Sequence, residues 1–152
     1  MMSEEKFSEK EWHRKSAVNC FNMVWGLLDK KSRTQEEEDT MVHAAHASRY
    51  HWGEIGTPLE FERGEWQISR VYAVLGRAQQ AIYHARRCLE ICTENDIGDF
   101  DLAFAYEAMA RAHTVAGEKS EVTKFVDLAK KAAEHIEKED DKTYFFNELN
   151  TI

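Results

Sequence analysis

Phe21, Val24, Trp25 and Leu28 recur at i, i+3, i+4 and i+7, one apolar stripe on a helix predicted from about residue 8 to 29. The polar stretch DKKSR interrupts it. Thr34 then stands three residues before Glu37, the spacing of a reciprocal capping box, and predicts a second helix that ends near the glycines of GEIG. In TPLE, Thr57 is placed to cap, Pro58 suits the first turn and Glu60 closes a second box, so a third helix runs to Leu75. Gly76 breaks the pattern, a fourth helix reaches about Asn95, and NDIGD reads as a turn. A fifth helix covers about 101–116, Gly117 ends it, and a sixth extends to about Glu137. The acidic run EKEDD reads as a solvated linker. Beyond it, Phe145, Leu149 and Ile152 share one face of a short last helix, about 142–152, suited to capping an exposed core edge.

Placing Gly76 on Gly117 exposes an internal repeat with an offset of 41 residues. Tyr72 then falls on His113, Leu75 on Ala116, Arg70 on Arg111 and Cys88 on Ala129. Each unit is a helix, a one-glycine break and a second helix. The segments VYAVLGRAQQAIYHARRCLEI and AYEAMARAHTVAGEKSEVTKFVDLAKKA resemble tetratricopeptide repeats, through Tyr72, Leu75, Gly76 and Ala81 in the first and Tyr106, Gly117 and Ala129 in the second. Glu65 stands where that family favours tryptophan, Val122 replaces a small residue, and neither repeat ends in proline. The period exceeds the usual ~34 residues, as in the longer-helix variety of kinesin light chains and bacterial peptide-sensing regulators. The whole chain is also similar to small bacterial tetratricopeptide-like proteins with no assigned role. The resemblance implies an all-α, right-handed stack of three antiparallel hairpins (about 8–53, 57–95 and 101–137) plus the capping helix, binding a protein or peptide in a concave groove.

That groove has candidate residues. The third helix is expected to bury Phe61, Gly64, Ile68, Val71, Tyr72 and Leu75, which leaves Arg63, Trp66 and Arg70 nearly opposite. The repeat offset carries those three onto Phe104, Glu107 and Arg111, opposite a core face of Leu102, Ala105, Tyr106, Met109 and Ala112. The resemblance places such positions on the concave side. Two arginines beside Trp66 and Phe104 suit a carboxylate joined to an apolar group, hence an acidic peptide. The alternative is a network in which Glu107 pairs with Arg70 or Arg111.

The stretch HAAHASRYHW raises a different chemistry. Met41, Ala45, Ser48 and Trp52 form one stripe of the second helix, widened by Ala44 and Ala47, and small side chains let a neighbouring helix approach. His46 and His51 diverge by about 140°, so they cannot share an ion; His43 and His46 are the local pair that can. His51 lies towards the alanine side and is expected to be the most buried of the three. No HExxH sequence supplies a general base. Cys88 and Cys92, at i and i+4, lie on an apolar face with Ala81, Ala85 and Leu89, and Cys20 lies among apolar residues of the first helix. The cysteines read as small hydrophobes, since no CxxC spacing supports a thiolate site.

Composition narrows the classes. Among 152 residues, 43% are hydrophobic, 32% are charged and only one is proline, the profile of a helical globular chain. The net charge of -8 disfavours nonspecific nucleic-acid binding. The amino terminus MMSEEKFSEKEWHRK lacks an apolar signal core and no run is long enough to span a bilayer, so a cytoplasmic protein without membrane contact is expected. Three cysteines agree with a reducing compartment. No glycine-rich phosphate loop and no serine elbow occurs, so no cofactor is assigned and a binding protein is expected rather than an enzyme. Two other readings stay open: a small-ligand or metal sensor using His43 or His46, and a helical enzyme built around His51. Self-association into a homo-oligomer is also compatible with the pattern.

Overall fold

The computed structural model describes residues 4–152, and among them seven α-helices and no strand. They are α1 (Glu9–Leu28), α2 (Gln35–Ile55), α3 (Pro58–Val74), α4 (Ala78–Glu94), α5 (Asp99–Ala116), α6 (Lys119–Ala133) and α7 (Glu139–Leu149). No helix among the described residues is long and apolar enough to cross a membrane.

Local chemistry sets most of the boundaries. Thr34 Oγ1 accepts from Glu37 N at 3.1 Å while the Glu37 carboxylate accepts from Thr34 N at 3.0 Å, so the expected box forms in full. Ser8 and Glu11 build the same device on α1. Thr57 departs from expectation. Its hydroxyl donates to the Glu60 carboxylate at 2.6 Å and caps no backbone N–H, leaving Pro58 to define the first turn. Gly76 and Gly117 both adopt φ of +75°, the left-handed region that L side chains avoid. Each lets the next amide fold back: Arg77 N donates to Tyr72 O at 2.9 Å and Glu118 N to His113 O at 3.1 Å.

Two boundaries differ from the sequence reading near acidic residues. The sixth helix stops at Ala133 instead of about Glu137, and Glu139, Asp140 and Asp141 form the first turn of α7 rather than a linker. Three carboxylates at a helix amino terminus complement its dipole, which explains why an acidic run opens a helix here.

Consecutive helices pack on one another, α1 on α2, α3 on α4 and α5 on α6, with α2 meeting α3 and α4 meeting α5. The odd-numbered helices also form a row: α3 touches α1 and α5, and α7 rests on α5 and α6. Enclosed by four neighbours, α3 is buried on nearly every side. Besides Gly64, Ile68, Val71 and Ala73, it hides Glu62, Glu65, Gln67 and Ser69. Two of these polar groups tie helices to foreign carbonyls: Gln67 Nε2 donates to Phe21 O at 3.0 Å and Ser69 Oγ to Ala81 O at 2.8 Å. On α2, Met41, Ala44, Ala45 and Ser48 are buried, and Ser48 Oγ donates to Ala17 O of α1 at 2.8 Å. The histidine-rich stretch is therefore a packed helix at its small-residue side.

Candidate functional site

The row of odd-numbered helices encloses an aromatic cavity of about 320 Å³. Helix α1 supplies Phe21 and Trp25, α3 supplies Glu62, Arg63 and Trp66, α5 supplies Phe100, Asp101 and Phe104, and α7 supplies Tyr144. The i, i+4 spacing recurs as Phe21/Trp25, Glu62/Trp66 and Phe100/Phe104, so α1, α3 and α5 each turn a pair of side chains one turn apart inward. Trp66 sits at the centre. Its ring lies 5.6 Å from Trp25 and meets Phe104 edge-on at 5.8 Å. Its Nε1 is buried without an acceptor, an unpaired donor in an otherwise apolar wall.

The polar part of the cavity is a relay. Arg63 forks Asp101, Nε to Oδ1 at 2.8 Å and a terminal nitrogen to Oδ2 at 3.1 Å. Burial would raise the Asp101 carboxyl, but the Arg63 hydrogen bond and charge outweigh it and hold the group below its ordinary value. Glu62 behaves oppositely. Burial first, then the neighbouring Asp101 carboxylate, push it up to about 10, which favours the neutral acid at pH 7. Glu62 Oε1 in turn accepts from Cys88 Sγ at 3.6 Å, while Oε2 receives no donor. The hydrogen bond with Cys92, then burial and Glu62, raise the Cys88 thiol well above its usual range.

The expected groove residues split into two groups. Arg63, Trp66 and Phe104 line the cavity, although Phe104 is buried rather than freely presented. Arg70, Glu107 and Arg111 do come together, but as an internal network. Glu107 is 0% exposed, and its Oε1 accepts from Arg111 at 2.7 Å and lies 3.5 Å from Arg70. Arg70 also reaches Glu148 Oε2 on α7 at 3.2 Å. Arg111 donates to Glu148 O at 3.0 Å and Thr151 Oγ1 at 2.8 Å. Both guanidinium groups are thereby committed to α5 and α7 instead of standing open for a carboxylate.

The histidines do not assemble either. His43 is exposed, whereas His46 Nε2 bonds Tyr72 Oη at 2.9 Å and packs against His84. Burial, then the charge of His84, lower the His46 pKa. His51 is only half-buried, contrary to its expected place as the most buried of the three. It bonds His13 of α1, Nδ1 to Nδ1 at 2.8 Å. Burial and His13 lower its pKa. Among the described residues, the group of three or more ligand atoms gathered closely enough for one ion is Glu62, Cys88 and Cys92, with none of these histidines in it.

Glu62, Asp101, Phe100 and Tyr144 were not read as site residues from sequence, and Phe21 and Trp25 were read only as core. Their signal was the concentration of aromatics at i, i+4 on the first helix of successive units. No family model matches the chain, and comparison with curated proteins and with solved structures finds no match.

Proposed function

We propose that the chain is a tetratricopeptide-like binding module, three helical hairpins stacked with α7 as their cap, which captures a protein or peptide on the face formed by the odd-numbered helices. The observation that carries this reading is the aromatic cavity spanning α1, α3, α5 and α7. In a stack of this kind α1, α3 and α5 are the first helices of successive hairpins, the ones that face the concave side, and α7 extends their row as the cap. The cavity's size and apolar lining suit one aromatic or branched aliphatic side chain of the partner, whose burial contributes about 1.5–3 kcal/mol. Arg63 at the rim has a half-exposed side chain and is charge-balanced by Asp101, so it adds orientation more than net attraction. The partner is thus recognised first by an apolar anchor. An acidic flank is secondary, because Arg70 and Arg111 already serve Glu107.

The test is a peptide array with aromatic, aliphatic, acidic and basic anchors, read by the fluorescence of the tryptophans in the wall. Peptides with aromatic or leucine anchors are expected to bind, and Trp25→Ala with Phe21→Ala to remove binding while helix content stays as in the wild type. Both positions are only half-buried, so the fold tolerates their truncation. Equal binding by the double variant would show that the cavity is not the site.

A further inference from the structure

We propose that Glu62, Cys88 and Cys92 form a buried binding site for a zinc-type divalent cation, held between α3 and α4. The three side chains offer one carboxylate oxygen and two sulfurs, all within 4.8 Å of one another. Tetrahedral zinc with bonds of about 2.3 Å to sulfur and 2.1 Å to oxygen sets those donors about 3.6 Å apart. Glu62 Oε1 and Cys88 Sγ stand 3.6 Å apart already. Cys88 and Cys92 are separated by one helical turn, which brings both sulfurs to the same side of α4.

A second observation points to a ligand. Glu62 is 2% exposed, yet among the described residues its Oε2 has no hydrogen-bond partner. A buried polar oxygen left unpaired is costly, and a cation displacing its proton would use it. The residue clustered directly with the two sulfurs is the small, fully buried Ala105, with Leu102, Trp66, Leu89 and Ile97 packed around it. Glu62 also lines the aromatic cavity, which gives an entry path and a place for a water as fourth ligand. Coordination replaces three protons, one from the carboxyl and two from the thiols, with one dication. Two thiolates select zinc over the hard cations magnesium and calcium. The site shares Glu62 with the proposed anchor pocket, but that pocket needs no ion, so ion binding and peptide capture are separately testable.

The experiment uses the full chain, stripped with a chelator under reducing conditions and titrated with cobalt as a spectroscopic probe. One equivalent is expected to bind, with thiolate-to-cobalt charge-transfer absorption and the visible bands of tetrahedral cobalt, and zinc should displace it. Cys88→Ser and Cys92→Ser should each abolish the charge-transfer pattern. Glu62→Gln should weaken binding by roughly 10–100-fold or more, since even supporting groups of a metal site matter that much. Cys20→Ser should leave stoichiometry and absorption unchanged. Because a cysteine variant can lose its fold, the wild type carries an independent readout: in sub-denaturing urea, zinc should slow thiol modification at two of the three cysteines. Absence of charge-transfer absorption in the wild type would overturn the site, as would a band that persists in folded Cys88→Ser, or thiol rates that zinc does not change.

Discussion

Glu107 is a carboxylate with no access to water, so its balance depends on which cation stands nearest. Arg111, four residues on and 2.7 Å away, holds Oε1 directly; Arg70 reaches the same oxygen from α3 at 3.5 Å. Among the described residues Oε2 has no partner. Breaking a buried pair by deleting one member costs about 3–5 kcal/mol, because the remaining charge is left uncompensated. Arg111→Ala is therefore expected to lower stability by about that amount in urea unfolding. Arg70→Ala should cost less, because its bond to Glu148 is partly exposed and its distance to Glu107 is longer. An Arg111→Ala chain that unfolds at the wild-type midpoint would count against the Glu107–Arg111 pair as a buried tie. The repeat offset made this triad legible, since it aligned Arg70 with Arg111 and placed Glu107 between them. It could not reveal Glu148 on α7 and Thr151 just after it, which lie outside the repeat and reach the arginines only through packing.

At the scale of elements, α7 shows what a terminal helix adds. Phe145 is fully buried and meets Phe104 edge-on at 5.1 Å, in a cluster with Ala129, Ala133, Ile136 and Leu149. The same helix brings Glu148 to Arg70 and the Tyr144 ring to the cavity. Phe145→Ala is expected to destabilise the chain by about 3–5 kcal/mol, read by thermal unfolding. The loss should also loosen the cavity and shift tryptophan emission before unfolding, because Phe104 packs on both Phe145 and Trp66. Unchanged emission would mean that α7 supports the core without shaping the cavity. The face of α7 was readable because Phe145 and Leu149 stand four apart. Capping boxes and left-handed glycines were readable for a similar reason: their chemistry is local. The circumference of α3 was not. Glu62, Glu65, Gln67 and Ser69 look solvent-facing in a periodic pattern, and only four surrounding helices make them interior. That same misreading hid the carboxylate side of the site.

For the whole molecule, the decisive consequence is pH dependence, since groups from several helices titrate in the folded state away from their ordinary values. His46, facing His84, Glu65 and His43, and His51, facing His13 and Glu54, both have lowered pKa values, with burial the first cause in each. Above the ordinary value of 6.5 both are neutral in folded and unfolded chains and cost nothing. As pH falls below 6.5, the unfolded chain binds those protons more readily, so stability declines until the depressed folded values are passed. Glu65 acts lower on the scale. Burial would raise it, but His84 at 2.8 Å and Arg49 at 2.9 Å more than offset that, and its pKa is lowered. Its contribution is complete above the ordinary 4.5 and is lost as pH falls through the folded value. Both windows have the same sign. Glu62 opposes the histidines: pushed up to about 10 from the ordinary 4.5, it adds stability as pH falls from 7 towards 4.5, so the histidine window is read as the melting-temperature difference between wild type and variant, with the Glu65 loss setting in below about 4.5. His51→Asn, which keeps a polar group opposite His13, should remove the His51 share of the upper window, leaving that of His46 and the lower window in place. Glu65→Gln should do the reverse, at the cost of a lower melting temperature at pH 7, because Arg49 and His84 then lose the charge that joins α2 and α4 to α3. A wild-type profile that loses no more melting temperature from pH 7 to 5 than His51→Asn does would show that His51 is not held neutral by its neighbours.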